Sequence, residues 1–216
     1  MSLTTMIWKM ASGLGETCAI FFLTLIFAIP LGMVVALMRR SRFKVLSLIS
    51  GFFISVLRGT PLMLQLLAVT YGPYYIFGVS VSRNKLIPVV IAFSINYAAY
   101  FAEIYRSGIE SIPIGQYEAS QVLGYTKLQT FMKIILPQVI RRILPSMTNE
   151  IVTLVKDTSM AFTVSYVEIF TLAKQIANSQ TSFMPFIVAG VFYYVFNFIV
   201  SFVMRRVEKA MNYYTL

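Results

Sequence analysis

Residues 16–44 read ETCAIFFLTLIFAIPLGMVVALMRRSRFK. Within them Glu16–Met38 is an apolar run of 23 residues, interrupted only by Pro30 and small side chains. As a helix it reaches roughly 34 Å, enough to cross the hydrocarbon core of a bilayer. It stops at a dense basic cluster of Arg39, Arg40, Arg42 and Lys44. A cleaved signal peptide is the competing reading, and it fits poorly. The run is too long, only Lys9 precedes it, and no small-residue cleavage site follows.

The composition agrees with a membrane chain. Of 216 residues 58% are hydrophobic and only 12% are charged, against about 25% charged in soluble domains. Disorder, a coiled coil and a nucleic-acid-binding domain are thereby excluded. The net charge of +10 has too few charges behind it to cover a solvated phosphate-binding face, so no nucleic-acid partner is expected. One cysteine, Cys18, and no histidine remove a disulfide framework, zinc sites and Cys/His nucleophilic pairs. The expectation is an all-α integral membrane protein forming one domain over residues 1–216.

Working outward from the first run, Val45–Phe77 is too long for one straight span and carries Arg58-Gly59-Thr60-Pro61 near its middle. Pro61 removes a backbone donor and pushes Thr60 out of helical geometry, while Gly59 weakens the turn before it. Two half-helices or one strongly kinked span result. A third span is expected over Leu86–Arg106, closed off by Pro113. A fourth, from about Ile134 to Val155, carries Gln138, Arg141, Arg142, Asn149 and Glu150, so it must sit inside a bundle. The fifth is Phe183–Met204, and Val164–Ala177 reads as a shorter re-entrant or interfacial helix.

Positive charge orients these spans. With Arg39–Lys44 in the cytoplasm, Arg106–Arg142 and the C-terminal tail lie there too, and together they hold twelve of the 18 basic residues. The remainder are Lys9, Arg58, Arg83, Lys85, Lys156 and Lys174. The positive-inside rule then gives five spans, N-terminus out and C-terminus in, with Ser80–Lys85 outside.

Between the third and fourth spans, Gly115–Lys133 is neither linker nor membrane. Gln116–Leu123 reads as a short helix, and Gly124 suits a left-handed stop. Thr126 and Gln129 form a capping-box pattern for a second short helix, expected at a right angle to the first. Such a knob suits either a docking element or a helix lying on lipid headgroups.

Glu118-Ala119-Ser120, Gly124 and Ile134-Ile135-Leu136-Pro137 match the EAA signature: Glu-Ala-Ala, three residues, Gly, nine residues, Ile, one residue, Leu-Pro. Only Ser120 departs, small for small. The chain thus resembles the permease subunits of type I ATP-binding-cassette importers, in the polar-amino-acid branch. The resemblance extends through Arg58-Gly59-Thr60-Pro61, Asn96-Tyr97-Ala98-Ala99-Tyr100 with Glu103 and Arg106, and Lys156-Asp157-Thr158-Ser159. It implies that residues 115–133 are a coupling segment, with Glu118, Ala119, Ser120 and Gly124 docking a nucleotide-binding subunit. It also implies a multi-pass protein of the bacterial cytoplasmic membrane. The partners implied are a second permease subunit (identical or not), two ATPase subunits, an extracytoplasmic amino-acid-binding protein and membrane lipid. No G-x-x-x-x-G-K-S/T phosphate loop occurs, so ATP and magnesium are expected in the partner ATPase and no cofactor in this chain.

Ionisable groups inside a membrane are functional candidates by default. Asn96, Tyr100 and Glu103 lie at i, i+4 and i+7 of the third span, and Asn149, Thr153 and Lys156 repeat that spacing on the fourth, with Glu150 and Asp157 on the adjoining face. Opposed, the two stripes offer carboxylates to an ammonium and amines to a carboxylate, as a zwitterionic amino acid requires. Arg58, Arg106, Asp157 and Ser159 complete the expected substrate path. The competing reading is internal pairing, Glu103 with Arg106 or Glu150 with Arg142. Arg58, beside the helix break, would cap freed carbonyls or meet a substrate, with capping the favoured use. An ion-coupled secondary amino-acid transporter is the alternative function, but no second broken helix marks an inverted repeat. An intramembrane enzyme would lack any histidine or metal pair.

Overall fold

The computed structural model describes residues 2–80 and 84–211, and among these it is helical without strands. The expected outer segment Ser80–Lys85 therefore includes three residues, 81–83, that lie outside the described residues, as do 212–216 of the tail.

The first helix, α1, runs Leu3–Arg39, so it starts 13 residues before the expected span. Ser2 caps it by accepting from the Thr5 N–H. Lys9, Ser12 and two glycines break the apolar pattern of this extension. Tertiary packing holds it instead: Met6 and Met10 are buried with Ile169, Ala173, Ile176, Val188 and Ala189.

The next apolar region is two helices, α2 (Lys44–Gly59) and α3 (Leu62–Phe77), bent by 110° at the Thr60-Pro61 break. Then α4 (Leu86–Glu110) occupies the centre and packs on α1, α2, α3 and the long helix α7 described below. Gly32 of α1 lets α4 come close: a Cβ there would sit 2.8 Å from Phe101 Cβ and 3.0 Å from the Ala98 carbonyl.

Past α4, α5 is Ile114–Val122, and Gly124 closes it at φ +77°, the left-handed stop expected from its sequence. The Thr126–Gln129 capping box forms, with both reciprocal bonds present. The second short helix does not stand apart, however. The turn α6 (Lys127–Gln129) continues through a π-helical turn, Thr130–Ile135, into α7 (Leu136–Asp157). Nothing between Thr126 and Pro137 terminates a helix. Pro137 cannot donate to the Lys133 carbonyl, and the ladder slips: the Leu136 N–H bonds the Phe131 carbonyl five residues back.

After α7 a 3-10 turn, Thr158–Val164, ends at Ser165 with φ 57°, followed by α8 (Ile169–Gln180) and α9 (Met184–Met211). The helix expected over Val164–Ala177 thus begins five residues later. Its N-cap, Glu168, is fully buried and accepts from the Phe170 and Thr171 N–H groups at 2.7 Å, Thr171 Oγ1 at 2.9 Å and the Tyr193 hydroxyl at 2.6 Å. Among the described residues three helices, α1, α4 and α9, are each long and apolar enough to cross a membrane, and the bent pair α2–α3 adds one more if it crosses as a unit.

Candidate functional site

The helix break is the first piece of the site. Breaking a helix orphans the last carbonyls before the break. Gln65 Nε2 donates to the Leu57 carbonyl at 2.9 Å, to the Thr60 carbonyl at 3.1 Å and to Thr60 Oγ1 at 2.9 Å. Asn96 Nδ2 joins it from α4, bonding Gln65 Oε1 at 2.9 Å and the Leu57 carbonyl at 3.3 Å. Asn96, expected on the substrate path, is therefore buried and stitches the break. Gln65 had no sequence pattern to mark it, since its role exists only where the carbonyls are orphaned.

With the carbonyls satisfied, Arg58 is released from the capping role open to it. Its guanidinium lies 5.2 Å from the centroid of the Tyr100 ring. Both residues line a cleft of about 460 Å³ between the end of α2, α4 and α7. The α4 wall carries Tyr100, Glu103, Ser107, Gly108 and Ser111, and the α7 wall Arg142, Ser146 and Glu150. Along α4 the cleft runs eleven residues, about 16 Å.

The charges of the cleft divide into paired and unpaired. Arg106 pairs with both Glu103 and Glu110, so the internal pairing of Glu103 is realised. Arg142 instead donates to the Ser111 carbonyl at the end of the cleft. Glu150 has no hydrogen bond or ion pair among the described residues, and neither does Arg58 beyond its aromatic neighbour. One carboxylate and one guanidinium thus border the same space without a direct ion pair, each within electrostatic reach of the other.

The α7 stripe expected from sequence is turned away from this space. Arg142, Ser146 and Glu150, spaced i, i+4 and i+8, face the cleft, whereas Asn149 and Lys156 are exposed on the outside of the chain and Thr153 is half-buried. One residue of helix is a rotation of about 100°, and both faces of α7 are polar. Further along, Asp157 accepts from the Tyr97 hydroxyl at 2.7 Å, and the Ser159 hydroxyl donates to the Lys156 carbonyl at 2.7 Å. These residues sit beyond the Tyr97 layer and do not line the cleft.

At the other end of α7 the segment 115–133 offers an apolar surface. Val122 is 88% exposed and Leu123 72%, with Ile114 and Leu128 exposed beside them. Glu118, Ala119 and Gly124 are exposed on the same knob, but Ser120 is buried. Its hydroxyl donates to the Tyr117 carbonyl at 2.7 Å and bonds the buried Thr130 hydroxyl at 2.9 Å. The one departure from the EAA signature thus fastens α5 to the π-turn rather than presenting itself outward.

Residues 28–213 match the family described as the binding-protein-dependent transport system inner membrane component. The chain belongs to that family. Its curated relatives include the nopaline transport system permease protein NocM of Agrobacterium fabrum, 34% identical over 94% of this chain and 88% of that protein. The L-cystine transport system permease protein TcyB of Bacillus subtilis is 34% identical over 96% of this chain and 88% of its own length. Among solved structures, an amino acid ABC transporter crystallised with histidines superposes at a TM-score of 0.87 with 30% identity, covering 97% of this chain and 99% of that one. The MetNI methionine ABC transporter in an inward-facing conformation has the same fold, with a TM-score of 0.73 over 98% of this chain and 100% of that one at 21% identity.

The protein is accordingly an integral membrane permease subunit of the ATP-binding-cassette type, with the ATPase activity in a separate subunit. It works with an ATPase partner and a permease partner.

Proposed function

We propose that this permease forms part of the translocation path for a polar amino acid entering a bacterial cell. The observation that carries the reading is the cleft with unpaired Arg58 and unpaired Glu150 on its walls. A zwitterion crossing an apolar layer needs partners for both its charges. Glu150 offers one to the ammonium, Arg58 one to the carboxylate, and the Tyr100 ring and Ser146 offer adaptable contacts between them. The relatives named for nopaline and cystine support this substrate class.

In this reading the chain has five spans, N-terminus out and C-terminus in, within the bacterial cytoplasmic membrane. α1, the α2–α3 pair, α4, α7 and α9 are those spans. Asn149, Thr153, Lys156, Asp157 and Ser159 then belong to the outer approach, where the exposed Asn149 and Lys156 face the second permease subunit. Glu103 borders the path, held by Arg106, which also pairs with Glu110. The exposed apolar knob with Glu118 docks one of two ATPase subunits, which hold ATP and magnesium, and an extracytoplasmic binding protein delivers the substrate.

The test compares two carboxylates in the reconstituted transporter. Glu150→Gln keeps shape and removes only charge, so substrate-stimulated ATP hydrolysis should need about 10- to 100-fold more substrate, with assembly and basal hydrolysis retained. Glu103→Gln should act mainly on folding, because it strips Arg106 of a partner. Normal uptake by Glu150→Gln would show that the path lies elsewhere.

A further inference from the structure

The turn between α1 and α2 is more ordered than a basic loop needs to be. Arg39 Nη1 donates to the Ser47 carbonyl at 2.9 Å and to Ser47 Oγ at 3.1 Å, while the Ser47 hydroxyl donates back to the Arg39 carbonyl at 2.9 Å. Gly51 makes room for this guanidinium, since a Cβ there would lie 2.9 Å from Arg39 Nη1. One arginine of the cluster is thus consumed in clamping the end of α1 to α2. Ser41 Oγ accepts from the Phe43 N–H at 3.2 Å and shapes the turn from inside.

The clamp leaves Arg42 and Lys44 exposed, and neither forms an ion pair among the described residues. Between them Phe43 is 73% exposed. Directly below, α2 presents Val45, Leu48, Ile49, Phe52 and Val56, all exposed and all within an arc of about 100°. Its opposite face holds the buried Ser50 and Ile54. Two exposed cations therefore cap an apolar stripe about 16 Å long.

That pairing has a definite chemical complement. A headgroup carrying a phosphate anion, covalently attached to an acyl chain, satisfies the cations and covers the stripe with one molecule. An acidic protein surface would neutralise the cations and leave the stripe bare, while a neutral lipid would do the reverse. We propose that Arg42 and Lys44, with Phe43 and the outer stripe of α2, form a binding site for an anionic phospholipid. The site rests on the reading of the chain as membrane-spanning with this turn at a membrane surface. Arg40, which borders a recess with Glu110 and Glu118 on the side of α5, lies at its edge. Lipid seated here would hold the turn, and hence the broken pair α2–α3 that carries Arg58.

The experiment uses the full chain purified in detergent and titrated with phosphatidylglycerol or phosphatidylcholine of equal chain length, with bound lipid counted by native mass spectrometry. The wild type should prefer phosphatidylglycerol. Each charge near a headgroup contributes about a fivefold preference, so Arg42→Gln with Lys44→Gln should lower it by about tenfold or more. Arg42→Lys should retain most of it, which separates charge from folding. Phe52→Ser should weaken both lipids alike, and inorganic phosphate should not displace the bound lipid. A control pair, Lys127→Gln with Lys133→Gln, should change nothing. An unchanged preference in the Arg42/Lys44 pair, or an equal fall in the control pair, would overturn the site. So would loss of a copurifying ATPase subunit, or of the permease dimer, with the lipid ratio intact. Micellar binding is read without reference to topology. Labelling of Ser41→Cys in a Cys18→Ser background reports the topology separately, so the two failures are distinguishable.

Discussion

Gly108 is where α4 and α7 meet beneath the cleft, and adding one methyl group there gives a prediction with a change of sign. An ideal Cβ on Gly108 would lie 2.1 Å from Ile143 Cγ2 and 3.4 Å from Val139 Cγ1. Ordinary carbon contacts are about 3.5–4.0 Å, so the Ile143 methyl must retreat by about 1.4 Å. Ile143 is buried and β-branched, with one strongly preferred side-chain rotamer in a helix, so α4 and α7 have to part instead. Overpacking of this kind costs about 1–3 kcal/mol, while Gly→Ala in a helix returns about 1 kcal/mol. Gly108→Ala should therefore destabilise the protein by about 1 kcal/mol. In an Ile143→Ala background the obstructing methyl is gone. The same substitution should then stabilise by about 1 kcal/mol, giving a coupling of about 2 kcal/mol or more between the two sites. A double-mutant cycle of denaturant unfolding in mixed micelles measures this. Additivity within about 0.5 kcal/mol would mean that the helices do not touch at Gly108.

Three further outcomes are expected. Glu168→Ala removes an acceptor from four donors and should cost about 3 kcal/mol or more, whereas Tyr193→Phe removes one donor and should cost about 1–2 kcal/mol; thermal unfolding midpoints in detergent should rank them so, and equal losses would refute the network. Gln65→Leu leaves the Leu57 and Thr60 carbonyls short of donors, so amide hydrogen exchange should quicken at residues 57–65 and stay unchanged in α9. Gly124→Val places a β-branched residue at φ +77°, a strain of about 1–2 kcal/mol; protease cleavage at residues 122–127 should rise and ATPase copurification should fall, and normal uptake would remove the turn from the coupling argument.

The elements most legible in the sequence were those written in local chemistry. The apolar runs, the Thr60-Pro61 break, the left-handed Gly124 and the Thr126–Gln129 capping box each need only neighbouring residues, and each is where its sequence places it. What stayed hidden depended on distant partners. The start of α1 at Leu3 is held by α8 and α9, and no pattern within residues 3–15 announces that contact. Likewise Asn96 reads as a substrate ligand until Gln65 and the orphaned Leu57 carbonyl are seen beside it. On α7, polar residues occupy two adjoining faces, and spacing alone could not choose between Asn149 and Glu150. Glu103 had two roles open to it, and the geometry pairs it with Arg106 while leaving it on the cleft wall.

The π-turn at Thr130–Ile135 settles more than a local irregularity. A π-turn is one extra residue stored in a helix, and one residue is about 100° of rotation. The second half of the 115–133 segment and the cleft-facing wall are parts of one continuous rod, from Lys127 to Asp157, with that offset built in between them. Pro137 sits just after it and cannot donate to the Lys133 carbonyl, so the slipped ladder forgoes no bond there. The turn thus acts as a phase shifter. It decides which side chains of α7 point inward for a given seating of the knob, and it keeps Arg142, Ser146 and Glu150, rather than Asn149 and Lys156, in register with α4.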